Sequence, residues 1–233
     1  MKAISSMATR HALTDLFAAA AQAGLPRVRL ESVGGVDAAS RVADGELFDL
    51  VLLAAGALGR LADAGHVDAA TVRPLMLSQT AAAVPDPSVV SAPLQEGIAF
   101  ADAAQLRDAL RSARRIGYST GPSGTALLRM IEEWGLADEL DGGLVQARSG
   151  IPVAASLSSG DVDLGFQQLS ELVGQPGIRI LGRLPDDCAI DTVFAGAVAT
   201  ASADSAGAAE VLAFLASDAT VAIRRRHAFG VPA

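Results

Sequence analysis

Short apolar runs alternate with helix-patterned stretches along this chain of 233 residues, and four of the runs break into small residues that open a helix. The breaks are Ser5-Ser6-Met7-Ala8-Thr9, Gly34-Gly35-Val36-Asp37, Ser119-Thr120-Gly121-Pro122-Ser123-Gly124-Thr125 and Ser149-Gly150-Ile151-Pro152. Such alternation restricts the fold to parallel sheets covered by helices on both faces and connected right-handedly. The first four N–H groups of a helix have no partner inside it, and the aligned peptide dipoles leave partial positive charge there. Small residues let an anion approach that backbone, so each break is a candidate anion seat. If several converge on one point, the chain is a receptor for a small anion.

The periodicity predicts strands over 3–5, 28–32, 48–53, 76–84, 115–118, 144–147, 164–166, 178–181 and 192–200. It predicts helices over 9–23, 36–44, 57–64, 69–72, 102–113, 125–134, 151–159, 205–215 and 219–227, with a helical turn over 169–173. Gly24 and Pro26 end the first helix in the expected order. Pro85-Asp86-Pro87 and Pro185-Asp186-Asp187 punctuate the chain, and the block between them repeats the architecture of the first 80 residues. The tail from 190 carries one strand and two helices, too few for a domain of its own. The expected fold is therefore α/β with two lobes, each a mainly parallel sheet flanked by helices. Residues 1–82 with 190–233 would form one lobe and 83–189 the other, with hinge crossings near 82 and 189. In open parallel sheets ligands sit outside the carboxyl ends of strands, where all four breaks lie, so a cleft between the lobes is the expected site.

Composition narrows the partners. Apolar residues make up 51% and aromatics 4%, so the core must be built from Ala, Val, Leu and Ile, which suits tightly packed parallel layers. The formal charge is −8 and Lys2 is the one lysine, an acidic balance that argues against nucleic acid or an anionic membrane as partner. Arg224-Arg225-Arg226 ends the last predicted helix, where it complements the helix dipole. Cys188 is the sole cysteine and demands no oxidising compartment. No run approaches the roughly 18 apolar residues of a spanning helix, so no direct membrane insertion is expected. No apolar segment precedes the first strand, which points to the cytoplasm, or to the periplasm if a leader was removed. A permease of the ABC class would be a partner only on export, and a monomer is expected.

Several chemistries are excluded. A phosphate-binding P-loop requires a lysine that is not there, no G-x-G-x-x-G follows a strand, and Gly121-Pro122-Ser123-Gly124 lacks the G-x-S-x-G spacing. His11, His66 and His227 are far apart and none has a second ligand at metal spacing, so neither metal nor cofactor is expected. The hydroxyls and glycines of 119–125 exceed what one N-cap needs, although Ser123 or Thr125 could serve as that cap. Candidate ligand contacts are Ser5, Ser6, Met7, Gly34, Gly35, Ser119, Thr120, Ser123, Gly124, Thr125, Gly150 and the adjacent amides Gln167 and Gln168. Arg10, Arg41 and Arg148 lie near the breaks and could clamp a carboxylate bidentately, Arg148 being the favoured one.

These segments together resemble the type II periplasmic-binding fold, and most of all the molybdate-binding-protein branch of ABC-transporter solute-binding proteins. The likeness runs from Ser5-Ser6 through Ser32-Val33-Gly34-Gly35, Asp44-Gly45-Glu46-Leu47-Phe48-Asp49 and the 118–125 turn. It continues over Ser158-Ser159-Gly160-Asp161-Val162-Asp163-Leu164-Gly165 to Phe214-Leu215-Ala216-Ser217 and Phe229-Gly230. The resemblance implies that Ser6 and the helix start at Ser123 hold an oxyanion. Gly34 stands where that family has its second serine, and Gln168 where it has a late tyrosine. Phe166-Gln167-Gln168-Leu169-Ser170-Glu171-Leu172 is similar to a subgroup that includes aconitate isomerases. The implied functions are binding of a small di- or tricarboxylate, isomerisation of such an acid with an unidentified catalytic base, or binding of a molybdate-type oxyanion.

Overall fold

The computed structural model describes residues 1–148 and 150–232. The elements run β1 (Lys2–Ser6), α1 (Arg10–Gln22), β2 (Arg29–Val33), α2 (Gly35–Ala43), β3 (Leu50–Ala54), α3 (Ala55–Asp63) and β4 (Arg73–Pro85). Next come α4 (Ala103–Ser112), β5 (Ile116–Tyr118), α5 (Pro122–Glu133), α6 (Ala137–Leu140), β6 (Leu144–Gln146) and α7 (Val153–Ser158). The chain then forms β7 (Leu164–Gln168), α8 (Leu169–Leu172), β8 (Ile178–Arg183), β9 (Asp191–Val198), α9 (Ser205–Ala216) and α10 (Val221–Arg226). Two compact units result, Met1–Leu77 with Val193–Ala233 and Ser78–Thr192.

In the first unit β2, β1 and β3 are parallel, and β9 closes the order β2-β1-β3-β9 antiparallel to β3. β3 shows why its sequence reads as an unbroken apolar run. Leu50 and Leu52 enter one core cluster with Leu13, Leu16, Leu212 and Leu215, while Val51 and Leu53 enter a second with Ile4, Val42 and Leu58. Both faces of the strand are covered, so no position is left for a polar residue. Gly24 adopts φ +85 directly after α1, a left-handed conformation that glycine enters without steric cost, and so fixes the predicted helix end.

The second unit departs from the expected parallel sheet. β6, β5 and β7 are parallel, but β4 lies antiparallel to β7 and β8 antiparallel to β4, which makes this sheet mixed. One face packs Phe166, Ile116 and Ala82 against Leu106, Leu110, Leu127 and Ile131 of α4 and α5. On the opposite face a Cβ at Gly165 would lie 2.8 Å from Leu157 and Val153, so α7 rests directly on strand backbone. β7 also runs two residues further than its apolar pattern suggests, which makes Gln167 and Gln168 strand residues.

Candidate functional site

The first unit brings Ser6 and the Gly34-Gly35 pair together. Parallel pairing sets Ser5 beside Ser32 and Ser6 beside Val33 at the carboxyl ends of β1 and β2. Ser5 is fully buried and its hydroxyl lies 2.8 Å from that of Ser32, which commits it within the protein. Ser6 is 7% exposed, yet its Oγ has no hydrogen-bond partner among the described residues. Gly34 is the N-cap of α2 without any side-chain cap, and a Cβ at Gly35 would sit 3.6 Å from the Ser6 Cβ. A residue with a buried, unpaired hydroxyl therefore lies beside the uncapped start of a nine-residue helix. Met7 opens the short 3-10 turn beside them with its side chain 40% exposed.

In the second unit the 119–125 turn divides its hydroxyls into two kinds. Ser119 and Ser123 are buried with their hydroxyl oxygens 2.9 Å apart, and the Gly121 N–H donates to Ser119 Oγ at 3.3 Å. Thr120 and Thr125 are exposed. Neither Ser123 nor Thr125 is the N-cap of α5, as the sequence suggested; Gly121 holds that place, followed by Pro122. Proline suits the first helical position because its missing N–H would have had no partner there. A Cβ on Gly124 would overlap the Ser119 carbonyl oxygen, so only glycine lets the helix start approach this loop.

The two adjacent amides split by strand alternation. Gln167 is committed: its Oε1 accepts from the Val153 N–H at 2.8 Å and so caps α7. Gln168 is buried with neither Oε1 nor Nε2 partnered among the described residues. Gly150 adopts φ +78 and is exposed, as is Arg148, while Ser149 lies outside the described residues.

Of the other two arginines near the breaks, Arg41 is not available as a clamp. Its guanidinium donates to Glu31 at 2.6 Å and to both oxygens of Glu46 at 2.6 and 2.7 Å. That arrangement holds the Glu46 carboxyl down at about 2, with help from Lys2. Arg10 is exposed beside His11. A different carboxylate went unnoticed in the sequence: Glu171, at the start of α8. Burial raises its pKa despite a hydrogen bond from Gln167. Its only signal was a position just past the paired amides.

Two surface cavities lie elsewhere. One of about 300 Å³ is lined by Glu46, His66 and Thr200, and one of about 350 Å³ by Trp134, Asp187 and Cys188. Neither contains any of the donors described above. Burial and the neighbouring Asp187 push the Cys188 thiol up to about 11, which leaves it a poor nucleophile.

The family of bacterial extracellular solute-binding proteins matches residues 1–230 of the chain. An aconitate isomerase from a Pseudomonas species is 32% identical over 198 residues, which cover 83% of this chain and 72% of that protein. Among solved structures, the periplasmic molybdate-binding protein of Azotobacter vinelandii matches with a TM-score of 0.76 over 100% of both chains at 18% identity. A tungstate-binding protein from Desulfovibrio alaskensis matches with a TM-score of 0.68 at 14% identity, covering 95% of this chain and 92% of its own. At those identities the structural likeness shows a shared α/β fold.

Proposed function

The chain belongs to the bacterial extracellular solute-binding proteins, and we propose that it binds a small organic anion, a di- or tricarboxylate. The observation that carries this reading is unspent donor capacity in both units. Ser6, its Oγ buried and unpaired among the described residues, lies beside the uncapped start of α2, and the Gln168 amide is buried with no partner among them. Buried polar groups without partners cost free energy, and native proteins keep few of them. Charge-assisted bonds contribute roughly 1.5–3 kcal/mol each, so about five would give micromolar affinity after the ordering cost. Calorimetry and thermal shift with citrate, tricarballylate, the aconitates, sulfate and molybdate test this. At least one carboxylate should bind and raise the melting temperature. Binding confined to sulfate or molybdate would move the assignment to the oxyanion alternative, and no response to any of them would contradict it.

A second reading, isomerisation of a small tricarboxylate, is favoured by the 32% identity to an aconitate isomerase. It needs a base that removes a proton from a methylene carbon. The double bond then shifts along the allyl system, and the proton returns at the far carbon, so nothing is gained or lost. Glu171 suits that role because burial raises its proton affinity. NMR of the chain with cis-aconitate in D2O should show the trans isomer carrying solvent deuterium, and Glu171→Gln should abolish turnover. Formation of the trans isomer only at the spontaneous rate eliminates the enzyme reading.

A further inference from the structure

One face of the second unit's sheet carries three buried polar side chains that the fold leaves without partners. β4 and β7 pair antiparallel with Thr80 directly opposite Gln168. Side chains opposite each other in such a pair share a face, with Cβ atoms roughly 4.5–5.5 Å apart. Ser78 precedes Thr80 by two residues on β4 and projects to the same face. Ser78, Thr80 and Gln168 are 0%, 1% and 1% exposed. Among the described residues, Ser78 Oγ, Thr80 Oγ1 and both amide atoms of Gln168 have no hydrogen-bond partner. The intervening residues on the same strands are paired: Gln79 Oε1 accepts from Arg183 at 2.6 Å, and Gln167 Oε1 from the Val153 N–H at 2.8 Å. The unpaired groups are thus confined to one face.

This trio has no formal charge, and its hydrogen bonding runs both ways. The two hydroxyls and the Gln168 Nε2 donate, whereas Gln168 Oε1 can only accept. A fully ionised oxyanion offers acceptors alone, and would leave that carbonyl buried against negative charge. A hydroxyl accepts from the donors and gives its own proton to Oε1. We propose that Ser78, Thr80 and Gln168 form a subsite for a hydroxyl group on the bound acid, which makes the chain a receptor for a hydroxylated di- or tricarboxylate. The inference rests on the anion-binding reading above and adds the substrate class.

Two pairs of acids differing only in a hydroxyl test it on the intact chain: citrate against tricarballylate, and malate against succinate. In at least one pair the hydroxy acid should bind about tenfold tighter or better, the worth of a satisfied buried acceptor. Thr80→Val and Ser78→Ala remove hydroxyls the fold does not use. The ligand-free melting temperature should therefore hold or rise while the preference shrinks toward unity. Equal affinities within both pairs overturn the subsite and leave the anion reading standing. No heat from any of the four acids overturns both. A melting temperature that falls in Thr80→Val with the preference intact assigns the trio to the fold and overturns the subsite alone.

Discussion

Removal of the Arg224 guanidinium would strand two carbonyl oxygens, because its Nη1 and Nη2 reach Leu75 O and Ser217 O at 2.8 Å each. The residue is 1% exposed, and burial lowers its pKa despite the opposing charge of Asp218. Arg224→Met should cost about 2 kcal/mol or more, since each stranded carbonyl carries a desolvation penalty of about 1–3 kcal/mol. Urea unfolding measures this, and an unchanged midpoint would contradict the structural role. The same residue marks a limit of the sequence. A run of three arginines at a helix end reads as dipole complement, and nothing in one dimension shows that the first turns inward. Ser6 and Gln168 stand out in the sequence because each lies just behind a short strand-like run. Ser78 and Thr80 were not, because polar residues inside a long strand look like its solvent-facing half. Arg41 misled for the opposite reason. Its partners Glu31 and Glu46 come from beyond its own helix.

The start of α5 shows what an element-level reading can and cannot reach. Small residues at 119–125 announced a tight strand-to-helix turn, and the structure makes one. The identity of the cap was lost because Ser123 spends its hydroxyl on Ser119 rather than on the helix N–H groups. Gly124→Ala places a Cβ against the Ser119 carbonyl, and backbone cannot yield as a flexible side chain would. The substitution should destabilise by about 1–3 kcal/mol and displace the 119–123 loop. Thermal denaturation provides the check, with an unaltered melting temperature as the contrary result. β7 was read two residues short because its apolar pattern stops at Phe166, whereas backbone pairing with β4 carries it to Gln168.

At the scale of the whole molecule, the carboxyls of Asp15, Glu31, Glu46, Asp49, Asp86 and Asp163 all have lowered pKa values. Each holds its proton less tightly folded than unfolded. Their stabilisation is complete above the ordinary values, 3.8 for Asp and 4.5 for Glu, and is lost as the pH falls toward the Glu46 value of about 2. Melting temperature should therefore decline steadily below about pH 4.5, and Glu46→Gln should flatten the lowest part of that decline. A midpoint constant down to pH 2 would contradict this assignment. The α/β alternation was legible from the apolar periodicity. The antiparallel pairing of β4 with β7 was not, because which strand neighbours which depends on contacts distant in sequence.

The central claim is that the chain binds a small organic anion through buried donors that the fold leaves unspent, Ser6 and Gln168 among them. Titration calorimetry with citrate on the wild-type chain, Ser6→Ala and Gln168→Leu tests it most directly. The account predicts that citrate binds the wild-type chain and that at least one of the two substitutions reduces its affinity roughly tenfold. No heat from citrate, or an affinity indifferent to both substitutions, would contradict it.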